Sequence, residues 1–358
     1  MSRVKLGDVA FERKETLKNN TGYPTVGLEH IIPEEIELIN WDEGAENTFT
    51  KVFHAGDVLF GRRRAYLKKA ALAPIDGICS GDITVISAIE DKICPRLLPF
   101  IIQNDKFFDF AVEKSAGSLS PRVKWQHAKE FEFELPEMEQ QEKLAELLWA
   151  VNDTKTAYKK LQKQTDELVK SQFIEMFGDP DTNSKGLPIA KLPDLGENLD
   201  NKRIPITGGD RKKGEYPYYG ASGVVDYVAD YIFDDDLLLI SEDGANLVAR
   251  VTPIAFSSTG KVWINNHAHV IKFKSMAMQC YVENLLNIMD ISSYVTGTAQ
   301  PKLNQAKLNS IPIPVPEEEQ IREYLAFVKQ SDKSKFELEQ SIAELTATYK
   351  RIITDNLG

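Results

Sequence analysis

The chain has 358 residues, more than one ordinary hydrophobic core holds, so two or more domains are expected. A content of 42% hydrophobic and 27% charged residues excludes a disordered or fibrous chain. No apolar run approaches the roughly 18–20 residues that cross a bilayer, and the opening MSRVKLGDVAFERKE lacks the apolar stretch of a secretory signal. A cytoplasmic location with no membrane partner is therefore expected. The formal net charge of −11 speaks against a uniformly basic surface, yet segments 1–134 and 183–316 sum to only −3 and −1, which leaves room for local positive faces. Cys79, Cys94 and Cys280 form no CxxC pair and read as reduced thiols, two of them half-buried.

In chain order, the first globular segment spans 1–135. Apolar runs at 57–61 and 82–88 read as buried strands, and Leu98, Ile101, Ile102, Phe108 and Val112 share one helical face, with Gly117 as the helix stop. Residues 136–178 then form a helix roughly 60 Å long at 1.5 Å per residue. Its stripe runs through Leu144, Leu147, Leu148, Val151, Tyr158, Leu161, Leu168, Val169 and Met176, and Gly178 with Pro180 ends it. Residues 179–188 are a turn-rich linker.

The second globular segment spans 189–315. Strands are expected at 237–240 and 269–273, and a helix on Met278, Tyr281, Val282, Leu285 and Ile288, stopped by Gly297. A second long helix at 316–358 carries Ile321, Tyr324, Leu325, Val328, Leu338, Ile342, Leu345, Tyr349 and Ile352 on one stripe. Each stripe needs a partner, and the other long helix is the nearest candidate.

The halves repeat at a spacing of about 180 residues. Val4-Lys-Leu-Gly-Asp8 matches Ala190-Lys-Leu-Pro-Asp194, Ala116-Gly-Ser-Leu-Ser-Pro-Arg122 matches Thr296-Gly-Thr-Ala-Gln-Pro-Lys302, and Leu135-Pro-Glu-Met-Glu-Gln140 matches Val315-Pro-Glu-Glu-Glu-Gln320. The unit duplicated is a mixed α/β domain followed by a long helix, an α+β organisation.

No catalytic motif emerges. There is no (Asn/Asp/Ser)-Pro-Pro-aromatic tetrapeptide, no GxxxxGK(S/T) loop and no GxGxxG turn. Gly220-Ala-Ser-Gly223 is too short to cradle a phosphate, His267 and His269 lack a third metal ligand, and Asp234-Asp-Asp236 reads as a solvated turn. No catalytic or metal residue is assigned, and a degenerate nuclease is the weaker enzymatic alternative.

Basic and polar clusters carry more information. Arg62, Arg63, Arg64 and Lys68 follow a strand of the first segment, while Arg211, Lys212 and Lys213 lie ahead of Tyr216, Tyr218 and Tyr219 in the second. Arg and Lys neutralise phosphates, and Arg also reads guanine edges. A solvated loop is the bland alternative; placement in both halves favours DNA contact. In the duplicated loop, Ser118, Ser120 and Arg122 answer to Thr298, Gln300 and Lys302, serving either as DNA contacts or as a structural cap. Lys124, Tyr219, Ser222, Asn246 and His267 complete the DNA-binding candidates.

With these residues in place, the chain resembles the specificity subunits of type I restriction–modification systems. Tyr216-Pro-Tyr-Tyr-Gly-Ala-Ser-Gly223, Leu239-Ile-Ser-Glu-Asp-Gly-Ala245, Val262-Trp-Ile-Asn-Asn-His-Ala268 and Gln300-Pro-Lys-Leu303 look like that family's recognition domain, and Pro136–Gln140 and Pro316–Gln320 like its helical regions. Gly61-Arg-Arg-Arg64 departs in wording from Ser241-Glu-Asp-Gly244, roughly where it stands in the other half. The resemblance implies two target-recognition domains separated by two long antiparallel, coiled-coil-like helices with pseudo-twofold symmetry. It implies double-stranded DNA with a bipartite target as ligand, two methyltransferase subunits as partners and, where the system has them, two restriction subunits. S-adenosylmethionine, ATP and Mg would belong to those partners, with no cofactor bound by this chain. The rival from another class is a coiled-coil assembly scaffold without DNA readout.

If the helices set the distance between half-sites, four residues inserted near Lys163 lengthen the spacer of the methylated motif. Sequencing of N6-methyladenine reads the spacer directly, and an unchanged gap would refute the ruler role.

Overall fold

The computed structural model describes residues 2–17, 22–44 and 47–358. The chain divides into two compact units, Met1–Lys160 with Leu338–Gly358, and Leu161–Glu337. Each long helix thus contributes one stretch to each unit.

In the first unit, β1 (Ser2–Lys5), a single turn α1 (Leu6–Val9) and β2 (Ala10–Glu12) open the chain. The Asp8 carboxylate accepts the Lys5 N–H at 2.9 Å and fixes that turn. Strands β3 (Pro24–Val26), β4 (Asp42–Glu43), β5 (Lys51–Phe53), β6 (Val58–Gly61), β7 (Ala70–Leu72), β8 (Gly77–Cys79) and β9 (Ile83–Ala88) follow. Helices α2 (Leu98–Ile102), α3 (Asp105–Glu113) and α4 (Trp125–Ala128) come next, and β10 (Glu132–Leu135) returns to pair antiparallel with β1 before the long helix α5 (Met138–Phe177).

Two four-stranded sheets result, ordered β2-β9-β6-β7 and β4-β3-β8-β5. Side chains alternate across a strand. On β6, Val58 and Phe60 enter one core with Phe107, Phe108, Leu148 and Ile353, while Leu59 enters a second core with Val26, Phe53 and Val85. A strand buried on both faces reads as a continuous apolar run, which is why 57–61 stood out.

The second unit repeats this plan. β11 (Ile189–Lys191), α6 (Leu192–Leu195) and β12 (Gly196–Asn198) open it, with Asp194 accepting the Lys191 N–H at 3.0 Å. Then come β13 (Lys213–Gly220), β14 (Gly223–Val228), β15 (Phe233–Asp234), β16 (Leu237–Ser241), α7 (Asn246–Ala249), β17 (Ala255–Ser258), β18 (Lys261–Ile264), β19 (Ala268–Phe273), α8 (Met276–Ile288), α9 (Gln305–Leu308), β20 (Pro312–Pro314) and α10 (Glu318–Leu357). The sheets are β12-β19-β16-β17 and β14-β13-β18-β15, and β20 closes onto β11. On β16, Leu238 and Ile240 join a core with Tyr281, Leu285 and Tyr324, and Leu237 and Leu239 join another with Val262 and Val270.

Aromatic residues dock the long helices. In the first unit the Trp149 ring lies 5.2 Å from Phe100 and its Nε1 donates to the Arg96 carbonyl at 2.9 Å. In the second, Phe173 and Phe177 of α5 meet Tyr281 of α8 and Tyr324 of α10, with ring centroids 5.0 to 5.6 Å apart. The Tyr281 hydroxyl donates to the Pro314 carbonyl at 2.7 Å, so the polar tip of a buried ring is satisfied.

Several expectations need correction. The apolar face at 98–112 is two helices, because Asn104 caps α3 through its contact with the Lys106 N–H at 2.9 Å and interrupts the run. Val112 is exposed. Gly117 and Gly297 are not helix stops: α3 and α8 end earlier, and both glycines take positive φ within a later loop. The stripe of α5 is discontinuous. Leu147, Leu161 and Leu168 are exposed, whereas Ala145, Trp149, Phe173 and Phe177 are buried. Cys79 and Cys94 are fully buried and only Cys280 is half-buried; burial pushes the Cys79 thiol up to about 12. Gly178 does terminate α5, with φ of 81° and its N–H donated to the Ile174 carbonyl at 2.8 Å. Among the described residues no helix is long and apolar enough to cross a membrane.

Phe173→Ala removes the ring shared by all three helices and is expected to cost about 3–5 kcal/mol. Hydrogen exchange checks it: protection should fall in β16 and α8 before it falls in β6 and α3.

Candidate nucleic-acid interface

In each unit the two motifs singled out from the sequence meet. The segment 116–122 closes on itself through paired backbone hydrogen bonds between Ala116 and Arg122, each 3.0 Å, and 296–302 does so between Thr296 and Lys302 at 2.8 and 2.7 Å. Gly117 and Gly297, with φ of 117° and 83°, make that closure sterically accessible. These loops then bridge to the end of the central strand. Arg64 N–H donates to the Pro121 carbonyl at 2.8 Å and Val123 N–H to the Arg62 carbonyl at 3.0 Å; Gly244 N–H donates to Pro301 at 3.0 Å and Leu303 N–H to Glu242 at 2.8 Å. Arg63 therefore stands where Asp243 stands, and Arg64 where Gly244 stands.

The frame is the same and the side chains differ in charge. In the first unit Asp82 receives Arg122 at 2.7 Å and Arg63 at 3.3 Å, and Arg63 Nε also donates to Ser120 Oγ at 2.5 Å. Arg64 is exposed and makes a left-handed turn, with φ of 54°. The hydrogen bond and charge of Arg122, against burial and aided by Arg63, hold the Asp82 carboxyl below the usual carboxylate range.

In the second unit the strand-end residues are acidic. Asp243 faces His267 Nδ1 at 2.8 Å, and Glu242 is held by Arg203 at 2.7 Å and Lys302 at 3.1 Å. Beneath them His269 is buried, its Nδ1 2.6 Å from Asp200 and its Nε2 2.7 Å from the Leu303 carbonyl. Ligand atoms of Asp200, Glu242 and His269 lie within 4.8 Å of one another. Both nitrogens of His269 are engaged and Arg203 already bonds both carboxylates, so these residues form a charge network without a coordination set to spare. Burial pushes the Asp200 and Glu242 carboxyls up, but His269 at Asp200 and Arg203 at Glu242, with further partners, outweigh it and hold both below the carboxylate range.

The remaining candidates separate. The Ser241 hydroxyl donates to the Ala221 carbonyl, which brings the β13–β14 turn and exposed Ser222 to this edge. Ser118, Lys124, Thr298 and Gln300 are exposed near the closed loops. Asn246 instead clamps its own loop through Thr252, at 2.9 and 3.0 Å. Arg211 bonds the Ile206 carbonyl and Asp226 and lies 4.3 Å from the Tyr218 ring centre, so its head is engaged on the second sheet, while Lys212 and Lys213 are exposed. Tyr219 is half-buried and stacks on Phe256 at 6.1 Å. Lys68 turns to Asp105 at 2.6 Å. Sequence reasoning missed Asp82, Arg203, Glu242 and Asp243 as members of the site. Nothing local in the sequence shows that Asp82 and Arg203 meet these strand ends, or that Asp243 stands where Arg63 stands in the other half.

Comparison with known proteins agrees with this duplicated frame. The sequence profile described as the type I restriction modification DNA specificity domain matches residues 2–167 and 186–347, and the chain belongs to that family. A protein of Haemophilus influenzae named as a type I restriction enzyme specificity subunit is 34% identical over 125 residues, 35% of this chain and 32% of that protein, so the match spans about a third of the relative's length. Two solved structures share the fold. One, from work on complex assembly and conformational transition of the type I R-M system, has a TM-score of 0.58 at 19% identity, covering 99% of this chain and 97% of its own. The other, a type I restriction-modification system S subunit from M. genitalium, has a TM-score of 0.58 at 12% identity, covering 98% and 94%.

The depressed carboxyls set a pH dependence. Their contribution is full above the unfolded values, about 3.9 for Asp and 4.3 for Glu, and is lost as pH falls through the lower folded values. Urea unfolding between about pH 6 and 3 should show stability falling on the acid side, and the fall should be shallower in Glu242→Gln.

Proposed function

We propose that this chain is the DNA-recognition subunit of a type I restriction–modification assembly, each unit reading one half of a bipartite target and positioning methyltransferase subunits, with restriction subunits where the system has them. One observation carries the reading: an identical backbone frame at the edge of both units presents Arg62, Arg63, Arg64 and Arg122 in one and Glu242, Asp243, Gly244 and Lys302 in the other. A duplicated scaffold with different polar side chains is what two modules for different half-sites need. Cations anchor phosphates and place the module, and side chains at base edges specify. The arginine-rich edge anchors more strongly, while Asp243 supplies an acceptor of the kind that takes the cytosine amino group. Each mismatched base costs roughly 1–3 kcal/mol, so two half-sites multiply discrimination. The chain contributes no catalytic group in this reading; S-adenosylmethionine, ATP and Mg act on the partner subunits. The scaffold alternative leaves the paired, charge-varied edges without a purpose.

The test is to co-express the chain with its methyltransferase subunit in a methylation-free bacterial host and sequence N6-methyladenine. One bipartite motif with a fixed gap supports the proposal. A complex that assembles and adds no methylation overturns it.

Arg64→Gly places at this turn the residue found at its counterpart, Gly244. Relief of the left-handed backbone should leave stability unchanged or raise it by up to about 1 kcal/mol. Affinity of the methyltransferase complex for duplex DNA should fall, with the salt slope reduced by about 1. Unaltered affinity and slope would return Arg64 to a solvated loop.

A further inference from the structure

At its charged edge each unit carries one hydrogen-bonded pair at equivalent positions, and the order of the pair is inverted. The first member follows the central strand, Arg63 after β6 and Asp243 after β16, and lies on a backbone bridge to the closed loop, at Arg122 or Lys302. The second member immediately precedes the strand paired with it, Asp82 before β9 and His267 before β19. Two hydrogen bonds fix that second member in the same way in both units. The Asp82 carbonyl accepts the Arg62 N–H at 3.0 Å, and the Asp82 N–H donates to Ser80 Oγ at 3.2 Å. The His267 carbonyl accepts the Glu242 N–H at 2.9 Å, and the His267 N–H donates to Asn265 Oδ1 at 2.7 Å. The first unit thus has a guanidinium on the strand end and a carboxylate on the turn; the second has a carboxylate on the strand end and an imidazole on the turn.

In both pairs the turn residue holds the strand-end residue and leaves it polar groups to spare. Arg63 gives Nε to Ser120 and Nη1 to Asp82, while its Nη2 makes no hydrogen bond among the described residues. Asp243 faces His267 Nδ1 with both oxygens, at 2.8 and 3.0 Å, which leaves lone pairs on each. Both side chains are partly exposed. The neighbouring Glu242 is instead taken up by Arg203 and Lys302.

Such pairs suit base edges better than phosphates. Asp82 offsets the charge of Arg63, so exposed Arg64 and Lys124 are the stronger phosphate anchors. A guanidinium fixed at two of its nitrogens aims its remaining N–H groups, as a fork onto the two major-groove acceptors of guanine requires. A carboxylate is repelled by the phosphates and serves at this edge only as an acceptor. Adenine sets its amino group beside the N7 acceptor, which a carboxylate repels, so the cytosine amino group is the better match.

We propose, on the DNA-reading role given above, that Arg63 and Asp243 each determine one base of the target: a guanine in the half-site of the first unit and a cytosine in that of the second. Asp82 and His267 are the positioning residues of the two readers.

The test uses the chain co-expressed with its methyltransferase subunit, with the N6-methyladenine motif sequenced for parent and variants. Absence of a bipartite parent motif defeats the DNA-reading role, and this inference falls with it. Given that motif, Arg63→Ala should make one guanine of one half-site degenerate, and Asp243→Ala one cytosine of the other, with the gap and the remaining positions unchanged. Asp82→Ala should relax the same guanine and His267→Ala the same cytosine, whereas a purely structural role would weaken all sites alike. Arg63→Lys keeps the charge and loses the fork, so the guanine should still relax. Binding of the complex to duplex gives a chemical check. Replacing that guanine by 7-deazaguanine, which lacks N7, should weaken the parent about tenfold and Arg63→Ala less than about twofold. The proposal is overturned if the Arg63 and Asp243 variants relax no position or relax a base other than guanine and cytosine respectively. It is also overturned if Arg63→Lys keeps the parent motif while Arg63→Ala loses affinity for all sites uniformly, which would make Arg63 a phosphate anchor.

Discussion

Burial of the central strands on both faces is the constraint from which each unit is built. β6 and β16 send alternate side chains into two separate cores, Val58 and Phe60 against Leu59, and Leu238 and Ile240 against Leu237 and Leu239. One core is shared with helices, including stretches of α5 and α10, and the other with the second sheet. A strand held this way cannot slip register, because a shift of one residue would exchange the two faces. Its end is therefore a rigid place from which to present side chains. Residues 62–64 and 242–244 lie there, pinned further by the closed glycine loops.

Rigidity of the frame is what allows its side chains to vary. Backbone hydrogen bonds define the joined loops in both units, so the frame itself does not depend on which side chains stand at these positions. Arg63 and Asp243 have opposite charge on matching bridges, and each finds a partner in the turn before the last strand of its sheet, Asp82 or His267. Arg64 keeps a left-handed backbone where its counterpart is glycine, a local strain that the surrounding bonds hold in place.

Beneath the second edge, Asp200, Arg203, Glu242 and His269 form a compact ionic support. Arg203 bonds two carboxylates and two backbone carbonyls, which orients Glu242 toward Lys302. At the arginine-rich edge of the first unit Asp82 gathers two guanidinium groups, and no such network underlies it among the described residues. The two edges thus share a backbone and differ in electrostatic depth.

The duplication, the buried strands and the ends of the long helices were legible in the sequence, because each depends on local periodicity or on turn chemistry such as Gly178 before Pro180. The break at Asn104 and the burial of Trp149 and Phe173 were not, since a helical period of apolar residues does not say which neighbour will cover them. Likewise the basic clusters could be found by type and position, but which of their members stay available could not. Lys68 is drawn to Asp105, Arg211 to Asp226 and Arg122 to Asp82, partners 37, 15 and 40 positions away. The sequence alone determined that two copies of one domain-plus-helix unit exist and where their charges are concentrated. Only the tertiary structure decided which charges are paired, because pairing depends on groups that meet after the strands and helices have packed.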